Sequence, residues 1–150
     1  MHVLRAERGF IIVGQETDGS VNPFDLGMGW IVSKKKNDFI GKRSLQRHSS
    51  FENRKQLVGL LTEDPKKIIP EGAHAVETPR NNLPIKMLGH VTSSYFSPNC
   101  NRSIALGLIK NGHSRFGETV YFPLINNEVV SAKIVKPVFF DPKGVRIDVI

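Results

Sequence analysis

The sequence lacks several features that would identify a metal site, a disulfide-stabilised fold or a membrane protein. Cys100 is the only cysteine among the 150 residues, so no internal disulfide can form. No C-x₂-C pair and no closely spaced histidine pair is present, which argues against a structural zinc site. No apolar run approaches the roughly 18 to 20 residues that span a bilayer. No apolar segment with a small-residue cleavage site follows the N-terminus. These absences predict a cytoplasmic protein with no bound metal and no membrane partner.

Two kinds of catalytic motif are also missing. The segment "GMGW" contains an isolated G-x-G, and no glycine-rich loop ends in Lys followed by Ser or Thr, so a nucleotide-phosphate loop is not indicated. Cys100 lies in the polar turn "SPNCNR", and no spacing ties a histidine to it as a base. We therefore interpret Cys100 as an incidental loop cysteine.

Acidic residues are in the minority. The chain carries 21 Lys and Arg residues against 14 Asp and Glu residues, a net charge of +7. The excess is spread from Lys34–Lys36 to Arg146, and aromatic residues do not alternate with it as they do on base-stacking surfaces. We expect no nucleic-acid partner and interpret the positive charge as a solvated basic face.

The first 50 residues predict a short mixed α/β segment. Residues 1–8 contain helix-forming and charged residues, and Gly9 is placed to end a helix. The "GMGWIVS" segment predicts a strand whose Trp30 packs into the core. Residues 41–48, "GKRSLQRH", predict a short basic helix.

The pattern changes near residues 49–55, where we place a boundary between two parts of the chain. From there, runs rich in β-branched and aromatic side chains are separated by Gly, Asn and Pro. No long helix is predicted between them. The sequence therefore predicts an α+β protein, in which a short mixed α/β remnant precedes a small antiparallel β-barrel of about six strands. The runs are "QLVGLLTE", "KMLGHVTSSYFS", "SIALGLIK", "TVYFPLI" and "EVVSAKIVKPVFF".

Two charged residues near the N-terminus leave two interpretations open. Arg5 and Glu7 are two positions apart, so on a helix they do not face each other. They are either solvated charges at a helix end or groups directed at a ligand. A guanidinium offers a planar fork of donors, and a carboxylate accepts the paired N–H groups that a pterin edge presents.

Two long blocks resemble the folate-binding aminomethyltransferase superfamily, which includes the glycine cleavage T-protein. The first, "LRAERGFIIVGQETDGSVNPFDLGMGWIVSKKKNDFIGKRSL", is similar to the superfamily pattern of Leu-Arg-x-Glu, Gly-Gln-Asp/Glu, a Gly-rich Trp segment and Phe-Ile-Gly-Lys. The second, "GHVTSSYFSPNCNRSIALGLI", is similar to the signature of its carboxyl-terminal barrel, which Ser93, Ser97, Pro98 and Arg102 match.

The resemblance implies a division of the chain and a set of site residues. Residues 1–50 would be the remnant of the folate-binding domain, and residues 51–150 the carboxyl-terminal barrel domain. Tetrahydrofolate would be the cofactor, with Arg5, Glu7, Phe10 and Gln15 as folate-binding residues. No carboxylate here matches the motif of the catalytic Asp of the superfamily, so no catalytic residue is assigned.

Within the superfamily, the segments "HVLRAERGFIIVGQETDGSV" and "PVFFDPKGVR" resemble the alpha subunits of heterotetrameric sarcosine oxidases. That similarity implies a carboxyl-terminal fragment, with Met1 at an internal position of a longer polypeptide. The whole enzyme would oxidise sarcosine to glycine and transfer the one-carbon unit to tetrahydrofolate. Its beta, gamma and delta subunits would be the partners, and NAD and flavins would bind elsewhere in the complex. We expect the isolated chain to be inactive.

Two alternatives to this function remain open. The chain could be a non-catalytic module that assembles with partner subunits, or a fragment of a T-protein-like aminomethyltransferase or demethylase with another substrate.

Overall fold

Six antiparallel strands close into a barrel, in the order β1-β4-β3-β2-β5-β6 with β6 paired back to β1. The computed structural model describes residues 1–79, 84–125 and 127–146. The helices are α1 (His2–Glu7) and α2 (Lys42–Ser49), with 3₁₀ turns at Gly29–Ile31 and Gly112–Ser114. The strands are β1 (Lys55–Thr62), β2 (His74–Val76), β3 (Met87–Ser97), β4 (Arg102–Lys110), β5 (Thr119–Pro123) and β6 (Val129–Val135). The predicted fold class is confirmed.

The barrel interior is filled by alternate residues of the strands. Val58 and Leu60 of β1, Val120 and Phe122 of β5 and Ile134 of β6 are each 0% exposed and belong to one apolar cluster. A period of two is what a strand needs to direct one side-chain set inward. The five long runs that the sequence predicts as strands therefore form the barrel wall, together with the short β2.

A second apolar cluster lies on the outer face of the barrel, beneath the N-terminal segment. Leu57, Leu106 and Leu108 of β1 and β4 contact Ala6 of α1 and Leu26. The helix α1 packs against β3 and β4, and Gly9 follows it with φ +70°, a left-handed conformation that Gly adopts without strain. The predicted helix and its glycine stop are confirmed. The division of domains at residue 50 stays a prediction.

The predicted "GMGWIVS" strand is wrong. Gly29–Ile31 forms a 3₁₀ turn, and the Trp30 side chain is 78% exposed instead of buried in the core. The outer cluster is already closed by the preceding Leu26 and Met28, so the chain leaves the barrel surface before Trp30. The predicted basic helix is confirmed as α2, which has no buried residue.

In the described part of the chain, no helix is long and apolar enough to cross a membrane. The same residues contain no cluster of three or more His, Cys, Asp or Glu side chains that suits a metal ion.

Candidate functional site

An aromatic cleft opens where the segment after α1 meets one end of the barrel. Its volume is about 900 Å³. Phe10 is 62% exposed, Trp30 78% and Phe116 40%, so three large rings face the opening. Exposed apolar surface of this kind is typical of ligand or partner sites. The cleft walls include Gly9, Phe10, Met28, Trp30, His113, Phe116, Lys136 and Val138.

A buried ion pair lies directly behind Phe10. Arg5 Nη1 is 3.1 Å from Glu16 Oε2, and it also donates to the carbonyl oxygen of Phe10 at 3.1 Å. Arg5 Nη2 donates to Ser93 Oγ on β3, and that hydroxyl donates to Glu16 Oε1 at 2.6 Å. The amide of Ile12 donates to Glu16 Oε2 at 2.7 Å. These bonds fix the segment from α1 to Glu16 on the barrel wall.

A β-bulge in β3 provides the second anchor of this segment. Val91 pairs with Gly107 and Ser93 with Leu106, so Thr92 is the extra residue. The bulge leaves the Thr92 carbonyl outside the regular ladder, and Gln15 Nε2 donates to it at 2.6 Å. Gln15 therefore braces the turn after Phe10 against the barrel.

Glu7 is anchored separately, farther along β3. Its side chain is buried, with the residue 2% exposed. Ser97 Oγ donates to Oε1 at 2.6 Å and Asn99 Nδ2 donates to Oε2 at 2.8 Å. The Glu7 carbonyl accepts from the amides of Phe139 and Phe140 at 2.8 and 3.0 Å. Through these bonds Glu7 joins α1 to the β3–β4 turn and to the segment after β6.

The electrostatics keep Glu16 ionised although the residue is 0% exposed. Burial acts to raise the pKa of its carboxyl. Hydrogen bonds from Ser93 and the Ile12 amide, the nearby Thr92 hydroxyl and the charge of Arg5 outweigh burial and hold the pKa below its ordinary value of 4.5. The Arg5–Glu16 pair is therefore charged under neutral conditions, and its geometry is fixed by neutral donors on both sides.

The four predicted folate-binding residues fall into three groups. Phe10 lines the cleft and presents an exposed ring. Arg5 and Gln15 lie behind it and hold the backbone, and Arg5 Nε is a buried N–H with no partner among the described residues. Glu7 has both carboxylate oxygens engaged by the barrel. The folate-binding roles of all four stay a prediction.

These positions fit a flat, polar-edged ring such as a pterin only in part. The Phe10 ring offers a face for stacking, and the cleft volume is within the usual range of small-molecule sites. Glu7 has no accessible oxygen for a pterin edge in this arrangement. A ligand in the cleft would therefore contact Phe10 and its neighbours, with Arg5 and Gln15 supporting them.

Sequence reasoning missed Glu16, which lies beside a predicted residue, and two cleft residues from a distant segment. Glu16 follows Gln15 in the block "GQETD", but nothing in the one-dimensional pattern indicates that it is buried against Arg5. His113 and Phe116 come from the β4–β5 connection. A signal for them was available in "NGHSRFGE", where an aromatic residue stands in a turn that otherwise contains small and polar residues.

Comparison with known proteins places the barrel in a family. The family model described as glycine cleavage T-protein C-terminal barrel domain matches residues 55–141. The chain is 51% identical to the sarcosine oxidase subunit alpha of Corynebacterium sp. (strain P-1) and 47% identical to that of strain U-96. In both cases 99% of the chain is aligned, and it spans 15% of the relative's length.

More distant similarity extends to aminomethyltransferases. The chain is 32% identical to the aminomethyltransferase of Desulfitobacterium hafniense (strain Y51), over 94% of the chain and 36% of that protein. Among solved structures, glycine cleavage system aminomethyltransferase T from Bartonella henselae superimposes with a TM-score of 0.77 at 22% identity. That match covers 94% of this chain and 38% of the other and shows a shared fold. With more than half of its residues matched by the family model, the chain belongs to the glycine cleavage T-protein C-terminal barrel domain family.

Proposed function

We propose that this chain supplies the barrel and part of the folate site of a sarcosine oxidase alpha subunit. In the whole enzyme, sarcosine would be oxidised to glycine and the one-carbon unit transferred to tetrahydrofolate. The beta, gamma and delta subunits would be the partners, with NAD and flavins bound outside this chain. Support comes from the 51% and 47% identity to alpha subunits. The lone, half-buried Cys100 suits a reducing compartment such as the cytoplasm.

The aromatic cleft is the observation that carries the folate part of this proposal. Phe10 is mostly exposed although its backbone is held at both ends: its amide donates to the Arg5 carbonyl at 2.9 Å, and its carbonyl accepts from Arg5 Nη1. A ring whose backbone is already fixed loses little further conformational freedom when a ligand stacks on it, which lowers the cost of binding. Stacking of the pterin ring on Phe10, with Trp30 nearby in the cleft, would use this fixed ring.

The contribution of this chain to catalysis would be positioning. Holding an amine and its electrophile in reacting geometry removes roughly 7 to 11 kcal/mol of the activation barrier in favourable cases, because the entropic cost of bringing them together is met on binding. No catalytic residue is assigned to this chain. Arg5, Gln15 and Glu7 would act by fixing the backbone around the ring-binding surface.

Tryptophan fluorescence gives a direct test, because Trp30 is the only tryptophan and lies in the cleft. Tetrahydrofolate is titrated into the chain under reducing conditions, with N-acetyltryptophanamide as the correction for absorption by the ligand. We expect saturable quenching with a dissociation constant above the low-micromolar range, because the cleft is open to solvent. The variant Phe10→Leu should weaken binding about tenfold, which corresponds to ~1.4 kcal/mol at 25 °C.

The matched control is Phe51→Leu, which changes a half-exposed ring outside the cleft. It should bind like the original chain. Linear, unsaturable quenching equal to that of the free indole would refute folate binding by this chain.

A second candidate function, a subunit-assembly module, is favoured by the segment between the N-terminal layer (residues 1–26) and the barrel. Residues 27–53 contain no buried residue. They carry six Lys and Arg residues against two Asp and Glu residues. Ile40 is fully exposed at 104%. A basic, partly apolar surface of this kind suits an acidic protein partner.

Charge reversal tests the assembly function separately from folate binding. The triple variant Lys34→Glu, Lys35→Glu, Lys36→Glu is co-expressed with beta, gamma and delta subunits, and complex formation is measured by size-exclusion chromatography at several salt concentrations. The control reverses three exposed lysines in or beside the barrel strands, which are Lys66, Lys86 and Lys133. Loss of assembly with the first triple alone supports this function, and equal assembly of both triples refutes it.

A further inference from the structure

Glu16 is the most deeply buried charged group in the N-terminal layer and lies one residue beyond the predicted site set. At 0% exposure it cannot touch a ligand in the cleft without rearrangement. Its two oxygens accept three hydrogen bonds, from Arg5, Ser93 and the Ile12 amide. A buried carboxylate with this many donors is fixed in one orientation.

The contacts of Glu16 lead to the ring at the mouth of the cleft. Glu16 orients the Arg5 guanidinium, and Arg5 Nη1 in turn donates to the Phe10 carbonyl. The amide of Phe10 is bonded to the Arg5 carbonyl, so both ends of that residue depend on Arg5. The turn that carries Glu16 is closed by bonds from the Gln15 and Glu16 amides to the Ile12 carbonyl, each 3.1 Å.

We propose that Glu16 is a positioning residue of the cleft, which acts through Arg5 to set the place of the Phe10 ring. This inference rests on the proposed folate function for its effect on binding, but the position of Phe10 is measurable without ligand. Removing the charge of Glu16 leaves Arg5 buried with a weaker partner, and its fork then loses the geometry that holds the Phe10 carbonyl. Ser93 shares in the effect because its hydroxyl bridges both charged groups.

The test compares Glu16→Gln, Ser93→Ala and the control Asp18→Asn. Asp18 is an exposed carboxylate two residues away that accepts hydrogen bonds from the amide and hydroxyl of Ser20. Amide and ring resonances of Phe10 are recorded in the ligand-free chain, and tetrahydrofolate affinity is then measured by Trp30 fluorescence. In Glu16→Gln we expect changed chemical shifts at Phe10 and an affinity for tetrahydrofolate that is about tenfold lower. The loss should be smaller in Ser93→Ala and absent in Asp18→Asn.

The two readouts separate the failure of this inference from that of the folate function. Unchanged Phe10 resonances in folded Glu16→Gln overturn the positioning role, whatever the ligand does. Shifted resonances in a chain that never binds tetrahydrofolate uphold the positioning role and refute the folate function alone. If Glu16→Gln does not fold, Ser93→Ala decides, since it removes one donor and no charge. A Glu16→Asp variant that restores binding in part identifies the charge, rather than side-chain length, as the source of the effect.

Discussion

The buried carboxylate of Glu7 should act as the main anchor of α1, and its removal should release the helix from the barrel. In Glu7→Ala, the donors Ser97 Oγ and Asn99 Nδ2 lose their acceptor. A hydrogen bond to a charged group contributes about 1.5 to 3 kcal/mol, so the two together contribute ~3 to 6 kcal/mol. In Glu7→Gln the size is kept and one donor meets an amide NH₂, for an expected loss of about 1 to 3 kcal/mol.

The loss of global stability in these variants has an upper limit, because the chain can release α1 without unfolding the barrel. The barrel strands contain their own interior cluster, which includes no residue of α1. Once the cost of the substitution exceeds the free energy that holds α1 in place, further destabilisation appears as local undocking. Two measurements are therefore needed. Urea unfolding followed by circular dichroism reports the global free energy, and amide exchange of Phe139 and Phe140 reports the docking, since both amides donate to the Glu7 carbonyl.

We expect Glu7→Ala to lose exchange protection at Phe139 and Phe140 by at least tenfold, with a smaller loss in Glu7→Gln. The control Glu71→Gln changes an exposed glutamate and should leave both measurements within about 0.5 kcal/mol of the original chain. Glu7→Ala with unchanged stability and unchanged protection at these two amides would refute the anchoring role.

Three further outcomes follow from the same structure. The pKa of Glu16 lies below its ordinary value of 4.5, so the ionised carboxylate stabilises the fold fully above that pH. The difference in free energy of unfolding between the original chain and Glu16→Gln should therefore shrink as the pH falls below 4.5. Urea titrations at each pH measure this difference. A Cβ at Gly89 would lie 1.9 Å from the Leu108 carbonyl oxygen, so Gly89→Ala should cost about 3 kcal/mol or more, or prevent folding, as measured by thermal unfolding and soluble yield. Trp30 should emit as a solvent-exposed indole and be quenched by acrylamide almost as strongly as free tryptophan. A blue-shifted, protected emission in the ligand-free chain would contradict its 78% exposure.

The barrel strands could be predicted from the sequence because each long strand carries its own local signal. In β5 and β6, buried positions alternate with less buried ones within runs of five and seven residues. The short β2 escaped prediction, since three residues cannot show a period of two. It is defined by its neighbours β3 and β5, and so by contacts between distant parts of the chain.

Trp30 shows a limit of arguments from residue type. Tryptophan is highly buried on average, and the surrounding "GMGWIVS" has the composition of a strand. Whether a particular apolar residue is covered depends on whether a partner surface remains at that point of the chain. Here Leu26 and Met28 already fill the outer face, and the next apolar side chain is left in the open cleft. The exposure of Trp30 is therefore a property of the whole assembly of segments, which no local window contains.

Arg5 and Glu7 show the same limit at the level of the site. Their spacing establishes that they do not pair with each other, and the resemblance to folate-binding proteins suggests a ligand for both. The resemblance does not reveal that β3 supplies separate hydrogen-bond partners to the two residues. The bulge at Thr92 and the positions of Ser93 and Ser97 follow from strand register. Register places Ser93 beside Arg5 and Glu16, and Ser97 beside Glu7. One strand thus holds two charged residues of one short helix in different environments. Glu7 is closed off by the barrel, while Arg5 is connected through Phe10 to the cleft, so substitutions of the two residues should separate stability from ligand binding.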